Sequence, residues 1–431
     1  MITGSAVYHV VEAMAPLYTA AALGFASVRW LKAFSAEQCA GINHFVAIYA
    51  VPVLIFQMVS TNNPYAMNGR LVAADTLQKA VMLIGLMAWA AWESRSSRRR
   101  GSKVSASAAS PLQWVVTAFS VSALPNTIIM GVPLLGGMYG PVSKELMKQI
   151  VVMQFCVWYN VVIFIYEYMA ARRAATAVDG VSAKISPGSP GAETPPEKIA
   201  PSANGSAAER AHEVTVNIEI TEIVPASTAQ KGVTDSTTTA LAEEGSTGED
   251  AKAAAAKEEA APPAPKTAPS VGHIALKAGK KVLKIPNTYA SFLGLIWSLI
   301  AFKCGIKMPK IIDDSLFTIQ TTAVGLSMFA SGTFIARQSR FVPCGYTIAS
   351  MSMVLKFLIG PVVMLFASLA IGMHGTLLHI AVVQAALPLA VTSFVYAEEY
   401  KVHADIMSTG VILGIFISLP VTIVYYILLG L

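Results

Sequence analysis

The sequence predicts an all-α integral membrane protein of ten transmembrane helices, arranged as two inverted five-helix repeats with broken, crossing helices at the fourth and ninth spans. Three observations predict this. The chain is 54% hydrophobic and only 13% charged over 431 residues, with a positive mean hydropathy, a balance that soluble domains do not reach. Its apolar runs, each long enough to cross a bilayer, fall into two groups of five around a polar segment. An odd number per group makes the second group enter from the opposite face, so any internal repeat is inverted.

The first group lies at roughly 7–28, 40–60, 71–92, 112–138 and 147–169, within a first repeat of residues 1–169. The opening run is too long for a removable signal peptide and lacks the basic flank and small-residue cleavage site of one, so it is read as the first span. The second group, at roughly 287–303, 313–335, 345–371, 375–397 and 408–430, lies within residues 285–431. Weak traces of the repeat survive. Pro16, Leu23 and Gly24 in the first span recur at the same offsets as Pro286, Leu293 and Gly294 in the sixth.

The fourth span is the most informative. It contains Leu124-Pro125-Asn126-Thr127-Ile128-Ile129-Met130-Gly131-Val132-Pro133. Proline lacks an N–H and clashes with the carbonyl four residues back, so Pro125 and Pro133 free the carbonyls of Val121 and Ile129. Bare backbone is tolerated at membrane depth only where protein or a cavity covers it, and carriers bind substrates at such interruptions. Leu387-Pro388 of the ninth span repeats the break. Two broken helices that cross bring helix N-termini to one spot, where N–H donors and partial positive charge suit an anion. Asn126 can serve either that anion or the freed backbone.

Between the repeats, residues 170–284 are rich in Ala, Ser, Thr, Pro, Glu and Lys, a composition that predicts a largely disordered loop. One exception is the alternation of Val214, Val216, Ile218 and Ile220 with polar residues, a strand signal that transient extended structure explains equally well. Basic residues cluster at Arg29 and Lys32, at Arg95 to Lys103, at both ends of the loop, and at Arg337 and Arg340. The positive-inside rule puts these segments and the loop in the cytosol, with both termini outside. The net charge of +6 therefore reflects topology and not nucleic-acid binding. The four cysteines are scattered without paired spacing, suggesting neither a disulfide framework nor a metal site. Neither zinc-protease and intramembrane-protease motifs nor a cofactor fingerprint is present, so the chain is not read as an enzyme.

In these residues the chain resembles the PIN-FORMED auxin efflux carriers. The resemblance is carried by Met1-Ile2-Thr3-Gly4 with Ala13-Met14-Ala15-Pro16-Leu17-Tyr18, by Ala73-Ala74-Asp75-Thr76-Leu77-Gln78-Lys79 and by Leu124-Pro125-Asn126-Thr127. Gln149-Ile150-Val151-Val152 with Trp158-Tyr159, Pro286-Asn287-Thr288-Tyr289 and Val383-Gln384-Ala385-Ala386-Leu387-Pro388 extend it through both halves, leaving out the loop. It implies a bile-acid/sodium-symporter-like fold, a homodimer, and elevator-type export of indole-3-acetate or related aromatic carboxylates without a cofactor. Carried over by motif, substrate binding falls to Val51, Asn126, Ile128, Asn287 and Val391, and a polar support site to Asp75, Lys79, Gln154 and Tyr159. The expected location is the plasma membrane, the endoplasmic reticulum being the other possibility in this family, with kinases acting on the loop.

Two departures stand out. The family's ninth span reads Leu-Pro-Gln-Gly-Ile-Val-Pro-Phe, whereas here it reads Leu387-Pro388-Leu389-Ala390-Val391-Thr392-Ser393-Phe394. Losing the second proline and the glycine predicts a less broken ninth span. The loop also lacks the Thr-Pro-Arg-x-Ser repeats of the long-loop members.

Charges inside spans are expensive and usually functional. Asp75 and Lys79 stand four apart, the spacing of a helical ion pair. Lys356, midway along the eighth span, needs a carbonyl, a carboxylate or water, and Glu12 has no evident partner. The crossover segments contain no acidic residue, which argues against the alternative, an ion-coupled (sodium or proton) transporter of another organic anion, because sodium sites need converging oxygens.

Overall fold

A computed structural model describes residues 4–99, 110–184 and 271–430, all of which lie in one compact unit. The strand signal at Val214 to Ile220 lies outside them. The helices are α1 (Gly4–Arg29), α2 (Ala36–Ser60), α3 (Gly69–Arg99), α4 (Pro111–Ala123), α5 (Thr127–Tyr139) and α6 (Pro141–Arg173). Then follow α7 (Val271–Val282), α8 (Pro286–Cys304), α9 (Lys310–Arg337), α10 (Tyr346–Ala370), α11 (Thr376–Ala385), α12 (Val391–Glu399) and α13 (Ala404–Gly430).

Seven of these are long and apolar enough to cross a membrane: α1, α2, α3, α6, α9, α10 and α13. The expected fourth and ninth spans are each two short helices, α4 with α5 and α11 with α12. The expected sixth span, α8, falls short on hydropathy because of its polar start, Pro286-Asn287-Thr288-Tyr289, and Lys303. Helical structure also continues into both ends of the expected loop, through Lys184 and from Val271.

Local chemistry sets the helix ends. Ser35 and Gln38 form a reciprocal capping box at the start of α2, and Gly305 ends α8 with φ of 68°. Prolines act in two ways. Pro52, Pro133 and Pro361 each follow a π-turn, Val46–Ala50, Thr127–Gly131 and Leu355–Ile359. Widening the preceding turn makes room for the missing N–H and the ring, so the helix runs on. Pro133 therefore does not break the fifth helix, contrary to the expectation from sequence. Pro125 and Pro388 do end helices, α4 stopping at Ala123 and α11 at Ala385.

The helices sort into two packed sets. In one, α1 packs along α9 and α8 along α2. Glycines permit this, among them Gly332 of α9, where a Cβ would overlap the Ala21 carbonyl of α1. A Cβ on Gly24 would overlap the carbonyl of Phe329, and one on Gly294 would stand 2.9 Å from that of Phe56. Gly24 and Gly294 are the two glycines that recur at one offset in the sequence. In the other set α3, α4, α10 and α11 pack together, with α13 against α10, α11 and α12. Two buried apolar clusters, around Met14, Leu134 and Val383 and around Ile55, Phe119 and Tyr159, lie on either side of the crossing.

Candidate functional site

The two breaks meet. Pro125 and Leu389 form an antiparallel bridge, in which the Asn126 N–H donates to the Pro388 carbonyl (2.8 Å) and the Ala390 N–H to the Leu124 carbonyl (3.3 Å). Backbone at each break is thus paired with backbone at the other, which is how irregular chain survives in a buried position. The ninth span is therefore fully broken. Pro388 alone suffices, because pairing with the Leu124–Asn126 segment replaces the helical hydrogen bonds that a second proline would have removed.

Gln154 braces the first break. It sits in a further π-turn, Gln154–Trp158, and its Nε2 donates to the Pro125 carbonyl (2.7 Å) while its Oε1 accepts from Thr127 Oγ1 (2.9 Å). Asn160 closes the same π-turn, its Nδ2 donating to the carbonyls of Phe155 and Cys156, and Thr288 of α8 donates to its Oδ1 (2.8 Å). Tyr159, fully buried, places its hydroxyl 3.4 Å from Ser393 Oγ on α12.

Beside the crossing is a cavity of about 30 Å³ lined by Val51 and Leu54 of α2, Pro125 to Ile129, Gln154, Phe155, Ala390 and Thr392. The first turns of α5 and α12 both face it, and neither start is capped by a side chain. The first-turn N–H groups left without helical partners and the partial positive charge of the two starts suit an anion. No acidic residue lines it. Its volume is that of about one water, against roughly 300–1,000 Å³ for small-molecule sites, so an aromatic acid enters only when the surrounding helices separate.

Of the expected substrate residues, Val51, Asn126 and Ile128 line the cavity. Val391 does not. It packs on the opposite cluster, and its neighbours Ala390 and Thr392 face the cavity instead. Asn287 stands further along, its Nδ2 donating to Tyr396 Oη (3.4 Å) and its buried Oδ1 unpartnered. Hydrogen bonding divides the expected support site in two. Gln154 and Tyr159 belong to the crossing, whereas Asp75 and Lys79 pair with each other, fully buried, on α3 where it packs on α10. Sequence reasoning missed Leu54, Thr127, Ile129, Phe155, Ala390 and Thr392. Leu54 follows Val51 at helical spacing, the one signal that could have found it. Glu12 has a partner, His9, at 3.3 Å on an exposed face.

Comparison with known proteins agrees with this architecture. The family model described as "Membrane transport protein" matches residues 9–426. Over 435 residues the chain is 75% identical to "Probable auxin efflux carrier component 9" of Oryza sativa subsp. japonica, covering all of both proteins. It is 37% identical to "Auxin efflux carrier component 8" of Arabidopsis thaliana and 34% to "Probable auxin efflux carrier component 1b" of Oryza sativa subsp. japonica, again over the full length of each. A broken, crossing pair of helices in an apolar helical protein, with these relatives, places the chain in the membrane transport protein family, as a short-loop member of the PIN-FORMED auxin efflux carriers.

Proposed function

We propose that this chain exports the indole-3-acetate anion by membrane-potential-driven uniport. The observation that carries the reading is the slot between the uncapped starts of α5 and α12, which offers donors to a carboxylate and Val51, Leu54, Ile128 and Phe155 to an aromatic ring. The names of its relatives give the cargo. A negative-inside potential drives an anion outward with about 2.3 kcal/mol per charge at 100 mV. At about 1.4 kcal/mol per tenfold that sustains roughly a 50-fold gradient, so no coupling ion is required.

In this reading the chain has ten spans in two inverted repeats, with α4–α5 and α11–α12 as the crossing pair. The set built on α1, α2, α8 and α9 is the scaffold of a homodimer, against which the other set moves as an elevator in the plasma membrane. The loop and its basic flanks are cytosolic. Asn126 contacts the substrate. Asn287 and Val391 act only once the helices have moved, because neither lines the closed cavity.

Export of radiolabelled indole-3-acetate from cells expressing the chain tests this, with Asn126→Ala and a sodium-free condition in parallel. Export that persists without sodium and falls about tenfold or more in the variant is the expected result. Export that stops without sodium would instead assign an ion-coupled carrier. No export from protein shown to be at the surface would remove indole-3-acetate as the cargo.

A further inference from the structure

The reading above leaves one buried charge unused. Lys356 lies in the π-turn Leu355–Ile359 of α10, is 1% exposed, and its Nζ has no hydrogen-bond partner. The neighbouring helix α3 packs on α10 and carries Asp75, one of whose carboxylate oxygens is engaged by Lys79 while the other has no partner. With both lysines protonated, Asp75, Lys79 and Lys356 hold one more cation than anion away from water. Such a charge does not persist unopposed.

The backbone opposes it. The half-helices α4 and α11 end inside the protein, where Ala123, Leu124, Ala385 and Ala386 are all buried. Neither has a basic residue in its last turn. Each end leaves carbonyls without helical partners and carries partial negative charge, up to about −0.5 elementary charge, opposite in sign to a protonated lysine. The Lys356 turn packs on α4, and the rest of α10 beyond it packs on α11. Gly360, one turn on, lies so near them that a Cβ there would stand 2.8 Å from the Ser122 carbonyl oxygen and 3.9 Å from that of Ala385. Gln78 of α3 donates to the Gly360 carbonyl at 3.5 Å, tying the ion-pair helix into the same junction.

We infer that Lys356 is a positioning residue for the crossover, a covalently held cation that balances the paired C-termini of α4 and α11 where an ion-coupled carrier would need an exchangeable one. The inference rests on the reading of the chain as a carrier that needs no coupling ion, and it gives that independence a structural cause. The N-terminal ends of α5 and α12 then remain free for the anionic substrate, while the C-terminal ends are permanently neutralised.

The test is thermal unfolding of the purified full-length protein in sodium, potassium or choline chloride at one ionic strength, with Lys356→Arg, Lys356→Gln and the size-matched Lys356→Met. Wild type and Lys356→Arg are expected to melt at the same temperature in all three salts. Lys356→Gln, whose side chain can share a bound ion, is expected to melt lower in choline and to recover in sodium or potassium, with flux in proteoliposomes reduced about tenfold or more. Lys356→Met, which offers no ligand, should melt lower with no recovery. Neutral variants as stable and active as wild type would overturn the inference, as would a loss that arginine does not rescue or no salt response in Lys356→Gln. Unfolding needs no substrate. A wild type that fails to carry indole-3-acetate but shows this salt pattern would refute the assigned cargo and leave the role of Lys356 standing.

Discussion

The amide of Asn126 donates to the carbonyl of Pro388 at 2.8 Å, joining the break in one half of the chain to the break in the other. Each proline ends its own helix, and the backbone exposed at that end pairs with the backbone at the other break. The crossing is therefore a single object. Neither break is stable without its partner, because an unpaired buried backbone group costs about 1–3 kcal/mol. The cavity at its edge takes its walls from both halves.

Gln154 should be the most sensitive brace of this object. Gln154→Ala removes the side chain that the Pro125 carbonyl and the Thr127 hydroxyl share, while the carbonyl keeps the Thr127 N–H at 2.9 Å, so the expected cost is that of ordinary hydrogen bonds, about 0.5–1.5 kcal/mol each. Gln154→Glu keeps the acceptor for Thr127 but removes the donor to Pro125. Thermal melts of the purified variants check this. A melting temperature within one degree of wild type for Gln154→Ala would show that the brace is dispensable.

The Asp75–Lys79 pair is fully buried, so removing one partner strands the other. Asp75→Asn and Lys79→Met should each destabilise by about 3–5 kcal/mol, and the double variant by much less than their sum. Asp75→Asn should be the worse of the two, because it leaves the buried Lys79 without its carboxylate on a helix that packs against the one carrying the buried Lys356. A double-mutant cycle in denaturant measures the coupling, and additive losses would refute it.

Gly24 and Gly294 are set against backbone of α9 and α2. Gly24→Val and Gly294→Val should therefore separate those helix pairs, each at about 1–3 kcal/mol of overpacking. Gly279, where a Cβ would meet nothing within 4 Å, is the control, and Gly279→Ala should leave the melting temperature unchanged. Equal effects at all three positions would remove the close-approach explanation.

Asn126→Asp places a negative charge among the donors that the starts of α5 and α12 offer. Flux of an anionic substrate should fall further than in Asn126→Ala, with the difference shrinking for a neutral indole analogue. Competition binding with both probes reads this directly. Equal binding of the anionic probe by Asn126→Asp and Asn126→Ala would falsify the anion assignment.

Much of this was legible in the residues. Composition and run length identified a membrane protein because the apolar area that a bilayer requires is a local property of the sequence. Pro125 and Pro388 could be read as breaks, and Asp75 with Lys79 as a pair, since proline geometry and i,i+4 spacing act within one or two turns. Other features depended on neighbours. Pro133 was expected to break its helix, yet a π-turn before it absorbs the ring, and whether a helix widens or stops depends on what packs around it. The ninth span was expected to be less broken for want of a second proline. Only the pairing of Leu389 with Pro125, a contact between distant parts of the chain, completes the break.

The sequence by itself determined the class of protein, the position of both breaks and most of the polar residues around them, because these follow from hydrophobicity and backbone chemistry over a few residues. Tertiary structure alone decided that Ala390 and Thr392 face the cavity while Val391 turns away, that Gln154 reaches Pro125 while Asp75 does not, and that the turn holding Lys356 packs on α4. Each of those depends on how helices from opposite halves cross, and the register of a crossing is set by packing between segments hundreds of residues apart, which no local pattern encodes.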